Sequence, residues 1–254
     1  MALACHVDRA ETLRYLGYRG QELTEELEGR IDGVIERCER DLRPDGLFAV
    51  YPVSAPASPG ALQEVPRLEL AGANMVLEGA SICEHLRGAR EVALIAVTLG
   101  ARSEQELRRL SALDPLEALV YDAACSSFVE AAADALEDEV VRYADACGMV
   151  TNGRFSPGYG DFPLEAQPSI VRTLRADIGL GLTVLPTHLL LPTKSITAVL
   201  GLFDVLPSRH EENEACASCA LRATCELRKR GVVCHGRTRT YGAGDFLPEI
   251  GAVR

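Results

Sequence analysis

Tryptophan is missing from this chain of 254 residues, and aromatic side chains of every kind make up only 5% of it. The core must therefore be filled by aliphatic groups, which 47% hydrophobic residues allow. Long apolar runs are also lacking. The longest, Val92 to Leu99, is far too short to span a bilayer. Basic charge is scarce: 26 Lys and Arg against 37 Asp and Glu give a net charge of −11. That balance argues against a nucleic-acid binder, which needs a basic face, and suits a protein that docks other proteins. Met1 to Ala10 carries Asp8 and Arg9 and no long apolar stretch, so no export signal is expected. Nine cysteines without such a signal fit thiols or metal ligands in a reducing cytoplasm. Neither an internal repeat nor a low-complexity tract is visible, and the length suits one large domain or two small ones.

What is present reads as alternating helical and extended segments. Asp8 is a helix N-cap for a short helix through Leu16 that Gly17 closes. Thr24 caps a second helix whose stripe is Leu27, Ile31, Val34, Ile35, Cys38 and Leu42, and Arg43-Pro44-Asp45-Gly46 ends it. Leu47 to Val53 is a strand, Ser54 to Pro66 a loop, Leu68 to Leu70 a short strand and Asn74 to Leu86 a helix. Val92-Ala-Leu-Ile-Ala-Val97 is apolar at every position, the pattern of a strand buried on both faces, within Glu91 to Thr98. Ser103 with Glu106 forms a capping box, and Asp114-Pro115 with Glu117 starts a further helix. Asp122 to Cys147 is the longest helix, with a stripe of Cys125, Val129, Ala132, Leu136, Val140, Tyr143 and Cys147. Glu130, Asp134 and Glu137 share another of its faces, at i, i+4 and i+7. Leu164 to Leu174 is helical, Leu182 to Leu191 is strand-like, and Ser195 to Leu202 is a further apolar strand.

Between these elements lies Arg154-Phe-Ser-Pro-Gly-Tyr-Gly-Asp-Phe-Pro163, with two glycines, two prolines and three aromatics in ten residues. Pro157-Gly158 predicts a type II turn, with proline at i+1 and glycine supplying positive φ at i+2. Arg154 and Tyr159 then flank a tight reversal. A guanidinium there suits a carboxylate ligand held bidentately, or an ordinary surface ion pair.

Composition shifts after Pro207. Cys216-x2-Cys219-x5-Cys225-x8-Cys234 gathers four cysteines within nineteen residues. Cys-x2-Cys sets two sulfurs on one metal and the later pair can complete a tetrahedral set, with His210 and His235 as substitutes. Zinc and an iron–sulfur cluster both fit thiolates, and reduced thiols or two disulfides are the other readings. Cys5, Cys38, Cys83 and Cys125 sit among apolar neighbours and read as core.

The chain resembles the activation domain of vitamin B12-dependent methionine synthase in a free-standing form. The resemblance is carried by Leu13-Arg-Tyr-Leu-Gly-Tyr-Arg-Gly20, Glu91-Val-Ala-Leu-Ile-Ala-Val-Thr-Leu-Gly100 and Phe128-Val-Glu-Ala131. It continues with Arg154-x-x-x-Gly158-Tyr159 and Leu191-Pro-Thr-Lys-Ser-Ile-Thr197, in order over about three quarters of the chain. It implies an α+β fold, a twisted antiparallel sheet with flanking helices, in residues 1–206. Residues 207–254 are added as a small C-terminal cysteine-rich segment. It further implies that S-adenosylmethionine is bound with its carboxylate on Arg154, Gly158 allowing backbone approach, Tyr159 at the corrin boundary and Glu130 taking the ammonium or ribose hydroxyls.

The implied role is reactivation of a cobalamin-dependent methyltransferase, whose core would be a methionine synthase, with an electron donor such as a flavodoxin or ferredoxin. Two other roles stand beside it. One is activation of an anaerobic corrinoid demethylation system; the other is a non-catalytic docking module that binds S-adenosylmethionine. The family's glutamate before its Pro-x-x-Ser motif is replaced here by Pro186, with His188 nearby. No Asp-x-His cobalamin module is present, so the corrinoid must arrive on another protein.

Overall fold

The strand expected at Glu91–Thr98 runs through the middle of a four-stranded sheet in the computed structural model, which describes residues 1–54 and 65–206. Its neighbours are β1 (Asp45–Pro52) on one side and β8 (Ser195–Phe203) on the other, and β5 (Val150–Thr151) completes the order β1-β4-β8-β5, with β4 being Glu91–Thr98. Every pairing is antiparallel: Ile95 stands opposite Phe48 in β1 and Ala198 in β8. The fold is therefore α+β. The cysteine-rich segment, with Cys216, Cys219, Cys225 and Cys234, lies outside the described residues.

Period two splits the sheet's side chains between two cores. Ala93, Ile95 and Val97 face one, and Val92, Leu94 and Ala96 face the other. The first core is covered by α1 (Arg9–Tyr15), α2 (Glu25–Asp41), α4 (Ala101–Leu113) and α5 (Pro115–Ala146). The second is covered by β2 (Arg67–Leu70), β3 (Met75–Glu78), α3 (Ala80–His85), α6 (Gln167–Leu174), α7 (Ala176–Gly179) and a small hairpin of β6 (Thr183–Val184) with β7 (Leu190–Leu191). Burial on both faces explains why β4 has no polar alternation.

The caps at Asp8 and Thr24 form as expected. Asp8 accepts from the N–H groups of Ala10 and Glu11, and Thr24 from that of Leu27. Asp114 caps α5, accepting from Glu117 N at 3.0 Å. Because Pro115 continues straight into the apolar stripe, the two helices expected here are one, of 32 residues.

Four further expectations need correction. Asn74–Leu86 is a strand and a short helix, because Met75 and Leu77 are buried while Val76 and Glu78 are not, which is strand alternation against β2. Ser103 is no N-cap. The helix begins after Gly100, and Ser103 Oγ donates back to the Gly100 carbonyl from within the first turn while Glu106 pairs with Arg109. The long stripe leaves the core before its end: Ala144 follows Val140 inward, whereas Tyr143 turns out to meet Phe48 edge-on and Cys147 is exposed. Leu182–Leu191 is a hairpin. Pro186 sits in a turn closed by His188 N donating to Leu185 O at 2.8 Å, with His188 at φ 63.

One packing detail in β8 gives a direct prediction. A Cβ on Gly201 would lie 2.6 Å from Phe203 Cζ, whose ring crosses the strand above it. Gly201→Val is expected to cost about 1–3 kcal/mol by overpacking. Denaturant unfolding measures it, and a midpoint equal to that of the native chain would show that the ring moves aside freely.

Candidate functional site

The segment after β5 runs along the outer edge of β8. Asn152, buried, accepts from Gly201 N at 2.7 Å through Oδ1 and donates to the His85 carbonyl at 2.7 Å through Nδ2. Phe155 exchanges both backbone hydrogen bonds with Val199 at 2.9 Å. These bonds fix the strand-like alternation, so Phe155 packs into the second core and Arg154 turns to the opposite face, where α5 lies.

The reversal that follows matches the expected turn. Tyr159 N donates to Ser156 O at 3.1 Å, and Gly158 at i+2 has φ 93. A second reversal is tied by Gly158 N donating to Phe162 O at 2.8 Å and Phe162 N donating to Tyr159 O at 2.9 Å. Gly160, at φ 55, passes so near Ser81 that a Cβ there would lie 2.4 Å from its Oγ. Asp161 accepts from the N–H groups of Ala80 and Ser81, both at 2.7 Å, and so binds the loop to the start of α3. These two backbone bonds hold its carboxyl below the ordinary aspartate value.

Arg154 meets all three members of the acidic face of α5. Its Nη2 lies 2.5 Å from Asp134 and 3.7 Å from Glu130, and its Nε lies 2.8 Å from Glu137. The guanidinium side chain is 19% exposed. One cation against three carboxylates leaves the cluster two negative charges in excess when all are ionised. Burial, deeper at Glu137 than at Glu130, whose side chain is 49% exposed, pushes both carboxyls up from the ordinary value of 4.5, and Arg154 pulls them back. A carboxyl raised in this way holds its proton more tightly folded than unfolded. Its best contribution to stability lies below pH 4.5 and declines as pH rises through the raised folded value. Glu137→Gln, at the less exposed of the two carboxyls, is therefore expected to raise the melting temperature at pH 7 and to flatten its fall with rising pH. A lower melting temperature would show that the pair with Arg154 outweighs burial.

The structure thus brings Arg154 and Glu130 together. Gly158 and Tyr159 stand at the tip of the adjoining turn, Tyr159 being 46% exposed with its ring edge-on to Phe155. Leu164 packs against Gly158, where a Cβ would meet it at 3.3 Å. Asp134 and Glu137, which the sequence shows only as sharing a helix face with Glu130, are direct partners of the guanidinium.

The sequence reading missed the neighbouring wall. Ser127, one turn before Glu130, accepts from the Asp8 N–H at 3.1 Å and donates to the Asp8 carbonyl at 3.0 Å, fastening α1 to α5. Glu11, Arg14 and Tyr15 then lie within electrostatic reach of Glu130. The tyrosines Tyr15 and Tyr18, left outward at i and i+3, were the available signal. His188, half-buried at its hairpin turn, encloses Nδ1 with no hydrogen-bond partner among the described residues. Among those residues, no group of three or more His, Cys, Asp or Glu is placed to hold a metal ion, and no helix is long and apolar enough to cross a membrane.

No protein-family model matches the sequence, and no curated protein matches it. Among solved structures, the chain is similar in fold to the MetH reactivation domain, a structure determined with AdoHcy bound. The TM-score is 0.60 at 14% identity, over 91% of this chain and 86% of that one.

Proposed function

We propose that this chain binds S-adenosylmethionine at the Arg154 turn and serves as a separate reactivation subunit for a cobalamin-dependent methyltransferase, with a methionine synthase core as its client. The observation that carries this reading is the meeting of Arg154 with three carboxylates on a fold shared with a domain that holds AdoHcy. The amino-acid end of the ligand is a zwitterion. A guanidinium can take its carboxylate through two parallel bonds, and an acidic excess beside it can take the ammonium. Asp134, 60% exposed, is the partner that the ligand carboxylate displaces from Arg154. Glu130 and the released Asp134 then face the ammonium, while Glu137 keeps Nε and fixes the plane of the guanidinium.

Tyr159 and Leu164, both exposed beside Gly158, supply an apolar rim suited to the face of a corrin carried on the partner protein. A corrinoid on the partner, reduced by a flavodoxin- or ferredoxin-type donor, would supply the acceptor for the sulfonium methyl and S-adenosylhomocysteine would be left, while Arg154 and Glu130 would hold the amino-acid end of the donor. The chain's own contribution is to orient the donor and exclude water. The reading also gives the tail at Cys216, Cys219, Cys225 and Cys234 a metal, zinc or an iron–sulfur cluster. Metal analysis and the visible absorbance of anaerobically purified protein separate these two.

Reconstitution tests the proposal. The chain, S-adenosylmethionine and a reductant are added to an inactivated cobalamin-binding methyltransferase. Recovery of methylcobalamin and turnover is expected, and failure to restore any such enzyme would sink the reading. Glu130→Gln is expected to weaken S-adenosylmethionine binding. A folded variant that keeps full affinity would remove Glu130 from the site.

A further inference from the structure

α1 carries an exposed aromatic ring, Tyr15, and is fastened to α5 one turn before Glu130, the carboxylate that borders Arg154. Thr12 and Leu13 are buried and hold the helix down, and the two-way bond between Asp8 and Ser127 sets its position along α5. Tyr15, next along the helix, is 42% exposed. Its ring carries the Arg14 guanidinium, 4.5 Å from the ring centroid, and Arg14 is itself held by Glu11 at 2.7 Å. One face of the ring is thus covered by a cation that has an ion pair of its own. Glu130, which also borders Arg154, lies within electrostatic reach of the Tyr15 hydroxyl.

A ring with a cation on one face is a poor seat for a second cation, because the two positive charges share one π system. A neutral, electron-rich aromatic plane is the favoured occupant of its open side. Such a plane belongs beside an amino-acid site when the ligand is an adenosyl compound, whose base lies beyond the ribose and cannot rest on the turn that holds the carboxylate. We propose that Tyr15 is the stacking platform for the adenine of the ligand held at Arg154, an assignment that rests on the reading of that cluster as an S-adenosylmethionine site. Arg14 covers the other face of the ring and does not touch the ligand.

The test is calorimetric titration of the full chain with S-adenosylmethionine, beside Tyr15→Leu and Tyr15→Phe, with ligand quenching of tyrosine fluorescence recorded on the same samples. Base–aromatic stacking predicts that Tyr15→Leu loses roughly 5- to 150-fold in affinity. Tyr15→Phe should stay close to native, since the plane and not the hydroxyl does the binding. The part of the ligand-induced quench that comes from Tyr15, readable because the chain has no tryptophan, should vanish in both variants, while affinity falls in Tyr15→Leu alone. A melting curve confirms that each variant is folded. If the native chain binds and Tyr15→Leu binds equally well, the platform is wrong and the Arg154 site stands. Equal losses of affinity in the Phe and Leu variants would make Tyr15 a hydrogen-bonding residue and overturn stacking. Absence of binding by the native chain would overturn the site and the platform together.

Discussion

Arg154→Ala is expected to weaken S-adenosylmethionine binding by about 1.5–3 kcal/mol, the scale of a charge-assisted hydrogen bond left unmade. In calorimetry that is a loss of roughly 10- to 150-fold. The surroundings of Arg154 add a second consequence that an ordinary surface arginine would not have. Without the guanidinium, Glu130, Asp134 and Glu137 face one another at i, i+4 and i+7 with no counter-charge. Like charges at helical spacing destabilise. The variant should therefore melt below the native chain at neutral pH, and the gap should close as acid protonates the carboxyls. Arg154→Lys separates the two effects. It keeps the charge and so the stability, but a point ammonium cannot form the two-bond fork, so affinity stays low. Full affinity in Arg154→Ala would show that no ligand carboxylate rests there. Low affinity with an unchanged melting curve at every pH would show that the carboxylates part from one another without cost.

The sequence disclosed the parts of this site that depend on short-range chemistry. Pro157-Gly158 specifies its turn because one residue fixes φ and the other tolerates positive φ, and both act within four residues. The acidic face of α5 follows from helical period alone. What the sequence did not disclose is that these two elements meet. That contact is made by Asn152 and Phe155 binding the edge of β8, which rotates Arg154 toward α5. Nothing within the Arg154 segment names β8 as its partner. The placement of α1 beside Glu130 was hidden for the same reason, since Ser127 and Asp8 are 119 residues apart in the chain. The strand at Met75–Glu78 was misread for a different one. A four-residue segment contains too few positions to separate period 2 from period 3.6 when a helix follows directly.

The turn beside Arg154 has a fully buried apolar anchor, Phe162, and its removal is the second large effect. Phe162 is 1% exposed and packs into the second core, with its ring centroid 6.3 Å from that of Phe155. Both of its backbone groups close the loop, to Gly158 and to Tyr159. Phe162→Ala is expected to cost about 3–5 kcal/mol, because the lost apolar contact adds to a cavity that the loop cannot fill. A folded domain has about 5–15 kcal/mol in all, so the variant should unfold at far lower denaturant while keeping its slope. Phe162→Leu keeps most of the volume and is expected to lose less. The pair of variants also decides what positions Arg154. If side-chain packing holds the turn, Phe162→Leu should bind S-adenosylmethionine more weakly than the native chain under conditions where both are folded. If the backbone bonds of Gly158 and Phe162, with Asp161 on the start of α3, suffice to hold it, Phe162→Leu should bind like the native chain despite its lower stability. A Phe162→Ala midpoint close to native would overturn the anchor itself, since it would mean that the loop is held by hydrogen bonds alone.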